Sequence, residues 1–172
     1  MHTIVYFHGY GSSSKTDKVD RIRKRFPDCK VLAFDASINP DVAKREVGHK
    51  ITMSLVDDHS DDELIFIGTS LGAWLANELS DLFGCRAVLI NPAYDPSTSL
   101  DKLGVDQDIL DLYTPMNLSG LKRKSFYVDM EDDVIDHREL LANLDTNDIT
   151  FYNGVGHRFN GKEFDEVLDR IL

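Results

Sequence analysis

Cysteine is scarce in this 172-residue chain, with only Cys29 and Cys85 present. They stand far apart and fit no metal-ligand spacing, so neither a disulfide framework nor a thiolate metal site organises the fold. Both read as free thiols in a reducing compartment. Long apolar runs are also missing. None approaches the roughly 20 residues that a bilayer-spanning helix needs. The opening Met1-His2-Thr3 lacks the charged front end of a secretory signal, and a cytoplasmic location is expected. Basic residues are in deficit, at 19 Lys plus Arg against 30 Asp plus Glu, a formal charge of −11. A surface this acidic repels phosphate backbones and anionic lipid, which argues against nucleic acid or a membrane as the main partner. The one dense basic cluster, Lys122-Arg123-Lys124, is too short to reverse that balance.

Apolar residues make up 42% of the chain, enough to build a core, so wholesale disorder is excluded. The length suits one domain over residues 1–172. Short apolar runs recur at residues 3–7, 30–34, 64–67, 86–90, 125–130 and 149–152. They are rich in Ile, Val, Phe and Tyr and too short for buried helices, so they predict strands. Several are continuously apolar, as strands covered on both faces tend to be. Helical patterns lie between them. Residues 15–26 carry Val19, Ile22 and Phe26 at spacings of three and four, and residues 41–56 follow Pro40. Residues 71–83 put Leu71, Leu75, Leu79 and Leu82 on one stripe, and shorter patterns cover 136–144 and 161–172. Strand and helix in alternation predict an α/β fold, a three-layer αβα arrangement with a mostly parallel sheet of about six strands. Residues 91–124 show no clear period beyond short helices expected near 106–113. They read as an excursion that carries the substrate side of a site.

The strongest chemical signal is Gly68-Thr69-Ser70-Leu71-Gly72. It matches G-x-S-x-G between a predicted strand and a predicted helix, the context in which a sharp turn exposes a nucleophilic serine. A side chain at position 68 or 72 would clash with the chain passing beside it, and the helix N-terminus favours negative charge. The alternative is a tight glycine turn with a helix-capping serine. A second signal, Phe7-His8-Gly9-Tyr10-Gly11-Ser12-Ser13-Ser14, follows the first strand. Its glycines let a backbone amide face an oxyanion, and Ser14 is expected to cap the next helix. It lacks the endings of a P-loop or a dinucleotide fingerprint. A third, Gly154-Val155-Gly156-His157-Arg158-Phe159, places a histidine just past the last strand. A fourth, Asp129-Met130-Glu131-Asp132-Asp133-Val134-Ile135-Asp136, offers a carboxylate to orient it. Asp132 is the first Asp past the strand's end, Asp133 is its rival, and Asp136 is expected to cap the following helix. The order Ser, Asp, His, each beyond a strand's C-terminal end, is that of an α/β-hydrolase triad.

With those residues in place the chain resembles a known family, the bacterial YqiA/YcfP-like group of small α/β-hydrolase esterases. The resemblance rests on Tyr6-Phe7-His8-Gly9-Tyr10, the Gly68 to Gly72 motif, Asn91-Pro92-Ala93, Asp132-Asp133-Val134-Ile135-Asp136 and Gly156-His157-Arg158-Phe159. It implies a short α/β-hydrolase without a large lid domain that cleaves carboxylic esters or thioesters with modest acyl groups. The family's serine falls on Ser70, its acid on Asp132, its histidine on His157 and its small loop on His8-Gly9.

The leading expectation is a serine hydrolase. Ser70 attacks the acyl carbon, His157 moves the proton, Asp132 orients His157, and the amides of Tyr10 and Leu71 hold the oxyanion. No cofactor or metal is expected, and the partner is a small acyl ester or thioester. The oligomeric state is not readable. Two alternatives remain open, a catalytically idle binding protein of the same fold and an amidase or peptidase using the same residues. Other histidines are given lesser roles. His8 is expected to tie its loop together, His49 and His59 to face solvent, and His137 is a minor rival for the base. Trp74 and Leu75 are expected to pack rather than line a pocket.

Overall fold

The computed structural model describes residues 2–56 and 63–172. The sheet consists of β1 (His2–Phe7), β2 (Lys30–Ala33), β3 (Glu63–Thr69), β4 (Arg86–Ile90), β5 (Lys124–Asp129) and β6 (Ile149–Tyr152). Its order is β2-β1-β3-β4-β5-β6, and every neighbouring pair is parallel. The helices are α1 (Asp17–Arg25), α2 (Pro40–Val56), α3 (Leu71–Phe83), α4 (Pro96–Asp101), α5 (Gln107–Leu110), α6 (Arg138–Asn143) and α7 (Lys162–Leu168), with a 3-10 turn at Leu121–Arg123. His59 lies outside the described residues.

The period of two along β1 sorts its side chains between two cores. Val5 and Phe7 join Phe66, Val47, Trp74 and Leu79 under α2 and α3. Ile4 and Tyr6 join Ile65, Val19, Ile22 and Phe164 under α1 and α7. Central strands are therefore apolar on both faces, which is why their sequences do not alternate. α1 and α7 are also tied by Arg21 to Asp165 at 2.7 Å and Arg25 to Asp169 at 2.6 Å. No helix among the described residues is long and apolar enough to cross a membrane.

Two expectations change. Ser14 does not cap α1. Thr16 holds that position without a side-chain bond, and the Ser14 amide instead donates to Asp35 Oδ1 at 2.7 Å. α4 lies in the segment that shows no period, because its start is set by chemistry rather than hydrophobicity. Asp95 accepts from the Ser97 amide at 3.0 Å and Pro96 occupies the first helical position. Within the basic cluster Lys122 and Arg123 are exposed, but Lys124 is not. Lys124 is 1% exposed and its ammonium donates to Asp81 Oδ2 at 2.9 Å and to the Ser119 carbonyl at 2.6 Å.

The strand order reverses direction between β1 and β3, so the loops leaving their C-terminal ends diverge and open a crevice. Both glycine-rich motifs sit there.

Candidate active site

The turn from β3 to α3 holds Ser70 at φ 56° and ψ −120°, a region that non-glycine residues rarely adopt. The strain is over-determined by the backbone around it. The Ser70 amide donates to the Ile90 carbonyl at 3.0 Å, and the Ser70 carbonyl accepts from Ala73 at 3.0 Å and Ala93 at 3.1 Å. Space explains the two glycines. A Cβ on Gly68 would sit 2.4 Å from the Gly72 carbonyl oxygen, and one on Gly72 would sit 2.1 Å from the Phe7 oxygen. The second contact packs α3 directly on the end of β1 and brings the loop after β1 to the serine. Gly9 serves the same closeness rather than an unusual φ, since its Cβ would lie 3.4 Å from Ser70 Cβ and 4.0 Å from Ser70 Oγ.

His157 lies in the loop after β6. Its Nε2 is 2.9 Å from Ser70 Oγ and its Nδ1 is 2.8 Å from Asp132 Oδ2. A carboxylate can only accept, so Nδ1 carries the proton and Nε2 is left to accept from the serine hydroxyl. The Asp132 side chain is fully buried and that of His157 is 14% exposed. Asp132 Oδ1 accepts from the amides of Val134 at 2.8 Å and Ile135 at 3.0 Å. Burial pushes the Asp132 carboxyl up, but hydrogen bonds from His137, His157 and those two amides outweigh it and hold the group well below the usual carboxylate range. Asp133 is exposed. Asp136 accepts from the Arg138 amide at 3.0 Å from one residue before the helix cap, close to its expected role.

Three residues support the histidine that the sequence did not single out for this purpose. Asp129 is fully buried at the end of β5, and its carboxylate accepts from the amides of Glu131 at 2.9 Å, Gly154 at 3.1 Å and Gly156 at 2.6 Å. It therefore pins both glycines that precede His157. Asn91, at φ 41° after β4, accepts from the Asp129 amide at 2.7 Å and donates to the His157 carbonyl at 3.1 Å. His137 is the third. Its Nε2 lies 2.9 Å from the same Asp132 Oδ2 that His157 uses.

The loop after β1 is braced by His8, whose Nδ1 is 2.8 Å from the Gly9 carbonyl and whose Nε2 accepts from the Ala36 amide at 3.2 Å. The backbone N–H groups of Tyr10 and Leu71 donate to no acceptor among the described residues. Beside them is a cavity of about 160 Å³, lined by Gly9, Tyr10, Ala36, Ile38, Ala43, Leu71, Trp74, Leu75 and Tyr113. Trp74 and Leu75 thus both pack and line it, at 2% and 5% exposure. Tyr113 comes from the excursion between β4 and β5 and donates to the Ile38 carbonyl at 2.6 Å, closing the cavity's outer wall. Burial pushes its phenol up to about 12, so it remains a neutral donor. His49 is exposed, as expected. Among the described residues no group of three or more His, Cys, Asp or Glu side chains is arranged to hold a metal ion.

A family profile described as "Uncharacterised protein family (UPF0227)" matches residues 3–172. The chain belongs to the UPF0227 family. It is 23% identical over 150 residues to a UPF0227 protein of Shewanella baltica, covering 82% of each chain. A UPF0227 protein of Vibrio campbellii is 24% identical over 150 residues, covering 83% of this chain and 82% of its own. In three dimensions the chain is similar to mouse alpha/beta hydrolase domain-containing protein 10, with a TM-score of 0.72 at 16% identity over 96% of this chain and 86% of that one. An esterase from Pyrococcus furiosus gives a TM-score of 0.70 at 16% identity, covering 98% of this chain and 82% of that one. The fold is that of the α/β-hydrolases, in a small form without a lid domain.

Proposed function

We propose that this protein is a serine hydrolase that cleaves carboxylic ester or thioester bonds through an acyl-enzyme on Ser70. The observation that carries the reading is the unbroken hydrogen-bonded series from Ser70 Oγ to His157 at 2.9 Å and from His157 to Asp132 at 2.8 Å. It begins at a serine whose strained backbone serves no packing purpose that glycine would not serve better. Ser70 Oγ attacks the acyl carbon while His157 Nε2 takes its proton. Asp132 stays ionised and stabilises the imidazolium. The free N–H groups of Tyr10 and Leu71 receive the charge that develops on the carbonyl oxygen. His157 returns the proton to the leaving alcohol or thiol, and water then releases the acid by the same steps in reverse.

The apolar cavity beside Leu71 takes the acyl group. Cavities of about 150 Å³ bind molecules the size of benzene, so a cavity of about 160 Å³ suits a chain of a few carbons. The test is a panel of p-nitrophenyl esters and acyl-CoA thioesters of graded length, run on the wild type and on Ser70→Ala. Turnover of short acyl chains by the wild type and none by the variant is expected. Equal rates from both proteins would defeat the reading.

A further inference from the structure

We propose that His137 is a positioning residue that shares the Asp132 carboxylate with His157 and thereby tempers the negative charge offered to the His157 ring. The inference rests on the hydrolase reading above and adds a second imidazole to it.

The geometry is specific. His137 Nε2 lies 2.9 Å and His157 Nδ1 2.8 Å from one oxygen, Asp132 Oδ2. The other oxygen is already taken by the Val134 and Ile135 amides. Four N–H donors therefore converge on one carboxylate, the limit of its lone-pair sites. Because the acceptor holds no proton, His137 must carry its own on Nε2. Its Nδ1 is buried and has no hydrogen-bond partner among the described residues, and the side chain is 2% exposed. With Nδ1 left without a partner, the ring is held by its Nε2–H donation to Asp132 Oδ2. The titratable groups that face it are Asp132 and Asp136 on its own turn and His157 from the loop after β6.

His137 also stands at the N-cap of α6, where Ser, Thr, Asp or Asn normally caps the helix. It makes no side-chain cap bond. Among the described residues its side chain's one polar contact is with the carboxylate, and the position is given up to that contact.

The consequence concerns charge. When His157 becomes an imidazolium during acyl transfer, the stabilisation it draws from Asp132 depends on how much of the carboxylate's charge other donors already occupy. A second N–H on the same oxygen reduces that share. Removing that donor leaves more of the carboxylate's charge for the His157 ring.

The test compares the wild type with His137→Phe, which keeps a ring and removes the donor, and His137→Gln, which restores an N–H. The readout is the pH dependence of kcat/KM for a soluble short-chain ester. In His137→Phe the acid limb is expected to move up by roughly half to one pH unit, the scale of one hydrogen bond, and His137→Gln is expected to move it back. An acid limb identical in all three proteins would overturn the proposal, even if kcat fell. Imidazole 15N NMR on the wild type needs no variant to fold and no turnover. The neutral His137 ring is expected to carry its proton on Nε2, hydrogen-bonded to Asp132. Finding that proton on Nδ1 would overturn the proposal whether or not the protein hydrolyses esters. Loss of the hydrolase reading itself would appear separately, as activity retained by Ser70→Ala.

Discussion

Gly72→Ala isolates the close contact between α3 and β1 on which the whole site depends. The added Cβ would stand 2.1 Å from the Phe7 oxygen, 2.5 Å from the His8 oxygen and 2.6 Å from the Phe7 carbonyl carbon. Ordinary contact begins near 3.4 Å, so helix and strand must part by about 1.3 Å. All three obstacles are backbone, which cannot rotate aside as a side chain can. Overpacking costs typically about 1–3 kcal/mol, and with backbone on both sides the upper end, about 3 kcal/mol, is expected. With a urea slope of at most about 3 kcal/mol per molar, the unfolding midpoint should fall by about 1 M or more. The same movement carries Ser70 away from His157 and from the loop bearing Tyr10. A misplacement of about 1 Å costs on the order of 10² in rate. Gly48→Ala supplies the control. Among the described residues its Cβ, inside α2, meets only Leu79 Cδ2 at 3.6 Å, so the same substitution there should stabilise by about 0.5–1 kcal/mol. Urea denaturation of both variants, with kcat measured on each, decides the matter. A Gly72→Ala protein with a wild-type midpoint and wild-type activity would refute the argument.

Asp132→Asn replaces a group that accepts four hydrogen bonds with one that must turn an N–H₂ toward existing donors, and it favours the wrong His157 tautomer. A kcat loss of at least about 10² is expected, with the exposed Asp133→Asn within about tenfold of wild type. The depressed Asp132 carboxyl also makes stability depend on pH. Its contribution is complete above the ordinary unfolded value of about 4 and is lost as pH falls through the lower folded value. Urea midpoints of wild type and Asp132→Asn should therefore converge as the solution is acidified below about pH 4, and a gap that widened instead would contradict the assignment. Tyr113→Phe removes the bond to the Ile38 carbonyl, costing about 1 kcal/mol and loosening the cavity wall. The ester panel should show its preference shifting toward longer acyl chains, and an unchanged profile would separate Tyr113 from the acyl pocket.

The central strands could be read from sequence because burial on both faces leaves them uniformly apolar. α3 could be read because Leu75 and Leu79, its start after Ser70 and its stop at Gly84 agree, although Leu82 of the expected stripe is 76% exposed at the helix end. α4 could not, since Pro96, Ser97, Thr98 and Ser99 carry no apolar period and the helix depends on the Asp95 cap. The nearness of Ser70, Asp132 and His157 follows from each lying past a strand end in a parallel sheet, where such ends share an edge. Their supporting residues were harder. Asp129 reads as a strand residue, and only the fold turns it toward the Gly154 and Gly156 amides. His137 sits in a polar stretch that suggests solvent. One signal was present, the spacing of two between Ile135 and His137, both of which are buried.

The most direct measurement on the central claim is intact-mass and peptide mass spectrometry after exposure to a fluorophosphonate. The reagent bonds to a serine oxygen only when a base removes its proton and an oxyanion site receives the phosphoryl oxygen. One adduct per chain on Ser70 is predicted, lost in Ser70→Ala and slowed by at least about 10² in Asp132→Asn. A folded wild-type protein left unlabelled, or labelled at another serine, would contradict the account.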